Sequence, residues 1–128
     1  MTLVDTSVWI DLIRSGRPGQ LGETLATFAT CGPVLQELLQ GLGHGPNARQ
    51  LKADLLAFPV LSDPLPRAVF LDAAAIYRQG RERGLTIRSS VDCLISAIAI
   101  ANQVSLWHRD RDYDRIAEFT PLRVVRWH

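Results

Sequence analysis

Residues 89–102 constrain this fold more than any other stretch. Ser89-Ser90-Val91-Asp92 opens a helix, and Val91, Leu94, Ile95, Ala97, Ile98, Ala99 and Ile100 then make it apolar on nearly every side. A helix without a polar face must be surrounded by other elements or by lipid. The apolar stretch 94–101 is far too short to span a bilayer. The helix is therefore predicted to be central in a globular domain. Ser89 and Asp92 have capping-box spacing at its start.

The flanking sequence alternates short apolar runs with helical patterns. Strands are expected at 1–4, 31–35, 59–61, 104–107 and 122–125. Helices are expected at 8–14, capped by Thr6 or Ser7, and at about 20–30, opened by Pro18. Further helices are expected at 35–40, 47–57, 66–83 and 113–118, with 109–112 as a loop. Gly41 and Gly84 mark helix ends. Gly-rich punctuation at 16–19 and 41–46 is too short to separate domains. No repeat or low-complexity segment appears. The prediction is one α/β domain over 1–128, a central and mostly parallel sheet flanked by helices in three α/β/α layers.

Composition narrows the class. The 128 residues carry 14 basic and 13 acidic side chains, a net charge of +1. A chain of this length buries roughly two-thirds of its unfolded surface, enough for a core without disulfides. Cys31 and Cys93 are too few for a disulfide framework or a zinc site. No basic n-region precedes the apolar N-terminus, and Asp5 and Asp11 interrupt it, so no signal peptide is expected, and a cytoplasmic location with no membrane partner is expected. Near-neutrality argues against coating nucleic acid by bulk attraction. Yet 13 of the 14 basic residues are arginine, the residue suited to bidentate phosphate contacts.

Several carboxylates break strong local patterns. Asp5 directly follows an apolar strand, Asp92 opens the apolar helix, and Asp110 and Asp112 follow a third apolar run. Ligands of open parallel sheets bind beyond the carboxyl ends of strands. Carboxylates near a core must be paired, protonated or bound to a cation. Oxygen-only acid clusters suit Mg²⁺ or Mn²⁺. Each acid also has a structural reading: Asp5 as a helix cap, Asp92 as a capping partner, Glu37 as an exposed helix residue, Asp110, Asp112 and Asp114 as a solvated loop. Competing motifs fail. The run from Asp110 opens like an EF-hand loop, but Arg115 stands at the sixth position and Pro121 at the twelfth. No phosphate loop or nucleophile elbow is present. His44, His108 and His128 lack metal-ligand spacing, and His108 reads as a surface loop residue.

Four blocks carry a resemblance. Leu3-Val4-Asp5-Thr6-Ser7-Val8-Trp9-Ile10-Asp11, Val34-Leu35-Gln36-Glu37-Leu38-Leu39-Gln40-Gly41, Val91-Asp92-Cys93-Leu94-Ile95-Ser96-Ala97-Ile98-Ala99 and Arg109-Asp110-Arg111-Asp112-Tyr113-Asp114-Arg115-Ile116-Ala117 resemble successive blocks of PIN-domain proteins. They are most similar to VapC-type toxins of bacterial toxin–antitoxin pairs. The resemblance implies a Mg²⁺- or Mn²⁺-dependent endoribonuclease. It assigns Asp5, Glu37, Asp92 and Asp110 to the catalytic cluster, with Asp112 as a further member. Asp5, Asp92 and Asp110 are the implied metal ligands. Thr6 and Ser7 match hydroxyl positions that orient a carboxylate or touch substrate. The resemblance also implies a VapB-type antitoxin covering the groove, a homodimer, and a toxin–antitoxin hetero-oligomer.

RNA contacts are expected from Arg14, Arg109, Arg111 and Arg115, with Trp9 or Trp107 as stacking surfaces unless they pack in the core. The alternatives are a catalytically inactive PIN-like module that binds RNA or protein, and a DNA-directed nuclease of the same fold. Setting aside the five assigned acids leaves 14 basic against 8 acidic groups. The balance then suits cutting RNA locally more than coating it.

Overall fold

The computed structural model describes residues 1–16 and 21–127. Among these, five short strands form one sheet: β1 (Thr2–Val4), β2 (Phe28–Cys31), β3 (Val60–Leu61), β4 (Ser105–His108) and β5 (Val124–Arg126). Their order is β3-β2-β1-β4-β5, and every pairing is parallel. Parallel neighbours require crossovers. The helices α1 (Thr6–Ser15), α2 (Gly32–Gln40), α3 (Pro46–Leu56), α4 (Arg67–Glu82), α5 (Ser90–Ala101) and α6 (Arg111–Ala117) supply them. The handedness rule puts α1 to α3 on one face and α4 to α6 on the other, because the chain steps outward from β1 to β3 and then returns to β4 and β5. The predicted α/β architecture is thus observed.

The direction of that stepping reverses between β1 and β4. In an open parallel sheet this switch point is where ligands bind, beyond the carboxyl ends of the strands. Val4 pairs with Trp107 there, and the Asp5 N–H continues the ladder to the Trp107 carbonyl at 2.9 Å. Leu3, Val4, Phe28, Ala29 and Leu106 are fully buried, as strands covered on both faces should be.

The apolar helix is central, as expected. Cys93, Ile95, Ser96, Ala97, Ile98 and Ala99 of α5 are buried, and α5 packs chiefly along α4. On α4 the buried face is Val69, Ala73, Ile76 and Gly80, at helical spacing. At Gly80 a Cβ would come within 2.7 Å of the Ile87 Cδ1, so glycine lets the segment before α5 lie close.

Four local expectations are corrected. Asp5, not Thr6 or Ser7, is the N-cap of α1 and accepts from the Ser7 N–H. The expected helix at 20–30 is instead a short 3-10 helix at Gly22–Thr27 followed by β2. Leu21 and Leu25 imitate helical spacing, but Gly22 has φ +54° and starts a tight turn. The expected strand at 31–35 ends at Cys31, because Pro33 lies in the first turn of α2, where a missing N–H costs nothing. The loop at 109–112 closes early, since the Asp110 carboxylate caps α6 by accepting from the Asp112 N–H. Pro18, the rest of the 17–19 turn and His128 lie outside the described residues. Among the described residues no helix is long and apolar enough to cross a membrane.

Candidate metal centre

The crevice at the switch point collects acids from four elements. Asp5 follows β1 and is 6% exposed. Its Oδ2 accepts from the Ser7 hydroxyl at 2.6 Å and the Ser7 N–H at 3.2 Å. Its Oδ1 accepts from the Tyr113 hydroxyl at 2.7 Å. The same hydroxyl lies 3.1 Å from Asp92 Oδ1 in the first turn of α5. Only half of the predicted capping box forms there: the Asp92 N–H donates to Ser89 Oγ, while the Asp92 carboxylate turns to Tyr113. Tyr113 is fully buried on α6, with its ring 5.2 Å from that of His108. Sequence reasoning missed it, because its partners are 108 and 21 residues away and leave no local signal.

Asp110 and Asp112 form the opposite wall. Asp112 is 1% exposed and both its oxygens are occupied. Its Oδ2 accepts from the Arg88 N–H at 3.2 Å and from the Arg88 Nε at 3.4 Å; its Oδ1 accepts from Arg115 at 3.1 Å. The Arg88 guanidinium also reaches Asp110 Oδ1 at 3.5 Å while remaining 65% exposed. Oxygens of Asp92, Asp110 and Asp112 all lie within 4.8 Å of one another. This three-carboxylate group has the oxygen-only donor chemistry that suits a hard divalent cation. Asp5 adjoins it through Tyr113. Glu37, exposed on α2, is tied to the same rim by Thr6, whose hydroxyl donates to its Oε1 at 2.9 Å.

Thr6 and Ser7 thus spend their hydroxyls on Glu37 and Asp5. Arg109 is held by Asp11 at 3.2 Å, whereas Arg111 is exposed. Arg115 braces Asp112 and the Thr86 carbonyl. Arg14 lines an apolar groove between α1 and α2. Trp9 is 3% exposed and belongs to the core. Trp107 is half-buried between Phe28 and Trp127. His108 is not a surface loop residue. It lies in β4, opposite Arg126 of β5, and is fully buried. Its Nδ1 accepts the Asp110 N–H at 3.1 Å, which places the ring proton on Nε2. That nitrogen faces Asp114 at 3.1 Å, off a hydrogen-bonding axis.

Electrostatics follow from crowding. Burial pushes the Asp92 carboxyl up to about 7, and the neighbouring Asp5 charge adds to it against the Tyr113 hydrogen bond. Burial also holds the Tyr113 phenol well above its ordinary range, with Asp5 and Asp92 contributing. A phenol has one proton to donate, so one of its two carboxylate contacts requires a proton on the acid. Burial raises the Cys31 and Cys93 thiols to about 11, so neither is a ready nucleophile.

An acid cluster at the switch point of a five-stranded parallel sheet is the setting in which the family becomes plain. The chain belongs to the PIN domain family, whose model matches residues 2–119. It is 36% identical to Ribonuclease VapC11 of Mycobacterium tuberculosis over 98% of both chains. Among solved structures, VapBC-1 from nontypeable Haemophilus influenzae superposes with TM-score 0.77 at 18% identity, covering 98% of this chain and 97% of that one. VapBC-5 from Mycobacterium tuberculosis, a member of the VapBC family of toxin-antitoxin systems, gives TM-score 0.67 at 21% identity over 98% of each chain.

Proposed function

We propose that this chain is a Mg²⁺- or Mn²⁺-dependent endoribonuclease, the toxin of a toxin–antitoxin pair, acting in the cytoplasm with residues 1–128 as one unit. The carboxylate group of Asp92, Asp110 and Asp112 at the switch point, with Asp5 adjoining, carries the reading. The identity with a chain named as a ribonuclease supports the activity, and the likeness to VapBC structures supports the fold. Asp92, Asp110 and Asp112 would hold the cation, with Asp5 beside them. When bound, such a cation lowers the pKa of water and offsets charge on a phosphate during in-line displacement. Glu37, steadied by Thr6, orients the attacking water and accepts its proton. Arg88 at the rim, with Arg109 and Arg111, binds the RNA backbone.

Restraint has a place to act. Ile10, Ile13, Leu38, Leu42 and Leu55 line a groove of about 240 Å³ that reaches Glu37. An amphipathic antitoxin helix would lay its apolar face there. A second copy of this chain would cover α4, where Phe70 and Leu71 are 50% and 64% exposed. The test is incubation of the purified chain with total RNA and with single-stranded DNA, in Mg²⁺, Mn²⁺ or chelator. Metal-dependent RNA cutting is expected. Cutting of neither polymer points to the binding module, and cutting of DNA alone to a DNA nuclease.

A further inference from the structure

We propose that Tyr113 is a positioning residue of the metal centre, its hydroxyl acting as a strut between Asp5 and Asp92. The proposal deepens the metal-nuclease reading and rests on it. Asp5 ends the central strand and Asp92 opens the central helix, so the two acids come from different layers. Their Oδ1 atoms lie 2.7 Å and 3.1 Å from one phenolic oxygen.

Ser7 anchors the other oxygen of Asp5. Among the described residues, the side-chain hydrogen bond that fixes the Asp92 carboxylate comes from Tyr113. The strut itself cannot swing. Its ring is fully buried and packed against His108, whose Nδ1 holds the Asp110 N–H. A rigid phenol has only two side-chain torsions, and both are set here by packing. Without the hydroxyl, the Asp92 carboxyl would lose the contact that holds it at 3.1 Å, and a cation would have to draw it in from other orientations. Hydrogen-bond partners of ligating carboxylates typically carry about 10- to 100-fold in metal affinity or activity.

Phenylalanine keeps the ring and removes the strut. Tyr113→Phe should weaken Mn²⁺ binding, read by titration calorimetry on the whole chain, by about tenfold. RNA cleavage should need correspondingly more metal and recover at saturation, with KM for RNA unchanged. A role in packing alone would lower the melting temperature and leave the Mn²⁺ affinity and the metal midpoint of cleavage untouched; that result overturns the proposal.

A second measurement needs no variant of Tyr113. The chain has two tyrosines, Tyr77 and Tyr113, so 3-fluorotyrosine labelling gives two fluorine signals, assigned with Tyr77→Phe. Mg²⁺ should shift the Tyr113 signal and spare that of Tyr77. A Tyr113 signal that stays fixed at saturating Mg²⁺ also overturns the strut. The two ideas separate cleanly. Weakened Mn²⁺ binding in a chain that cuts no RNA keeps the strut and rejects the nuclease. RNA cutting with equal Mn²⁺ affinity in both forms keeps the nuclease and rejects the strut.

Discussion

The two walls of the acid cluster are built on opposite principles. Asp110 and Asp112 face Arg88 and Arg115, so their charge is met within the fold. Asp5 and Asp92 share a phenol hydroxyl, and among the described residues no arginine or lysine pairs with either. One wall is an ion-pair network, and the other is held by a shared proton. The difference separates acids whose charge the fold already balances from acids whose charge it leaves without a basic partner among the described residues. It also predicts that activity and stability respond in opposite ways on the two sides.

The largest effect should come from the wall that shares the proton. Asp92→Asn should cut RNA cleavage by about 100-fold, the upper end of what partners of metal ligands carry. Its melting temperature without metal should hold or rise above about pH 7, where the substitution removes a desolvated charge. A marked fall in melting temperature would erase the contrast. On the paired wall, Asp112→Ala should destabilise the fold by about 1–3 kcal/mol, measured by urea titration, because it leaves the Arg88 N–H without its acceptor and takes one of two partners from Arg115.

Acidity sharpens the comparison further. The Asp92 carboxyl titrates at about 7 in the fold against an ordinary 3.8. Between those values the native chain keeps a proton that the unfolded chain has lost. This group therefore favours the metal-free fold below about pH 4, and its contribution declines as pH rises to about 7. Metal must displace the same proton, so Mn²⁺ affinity should fall by about tenfold per unit below pH 7 and level off above it. An affinity flat from pH 5 to 8 would remove Asp92 from the ligand set.

The smallest effect belongs to the rim. Arg88→Ala should cost less than about 1 kcal/mol in stability, because the guanidinium is largely exposed. Removing that cation should tighten Mn²⁺ binding by a few-fold, about 0.5–1 kcal/mol of relieved repulsion at this exposure, while raising KM for RNA. Calorimetry and cleavage kinetics on one preparation check both signs.

Much of this was legible in the chain because it is encoded locally. A helix apolar all round had to be central, and acids after apolar strands had to gather at one end of a parallel sheet. The residues misjudged were those whose role depends on distant partners. His108 follows a tryptophan and precedes charged residues, so it looks exposed; pairing of β4 with β5 and the ring of Tyr113 bury it. Tyr113 looks like an ordinary core aromatic until Asp5 and Asp92 arrive from elsewhere. The β2 boundary slipped because Phe28–Cys31 is short and small-residue-rich, while the preceding leucines imitate a helix.

The bond from Tyr113 to Asp5 joins residues 108 apart, almost the full span of the chain. Chains are made from the N-terminus, and a domain folds as a unit. Asp5 and Glu37 are therefore synthesised long before α6 exists to complete the crevice. A nascent chain still lacking α6 has neither the Asp110–Asp112 wall nor the phenol. The ribosome making this protein is accordingly not exposed to a finished nuclease until synthesis has passed that helix.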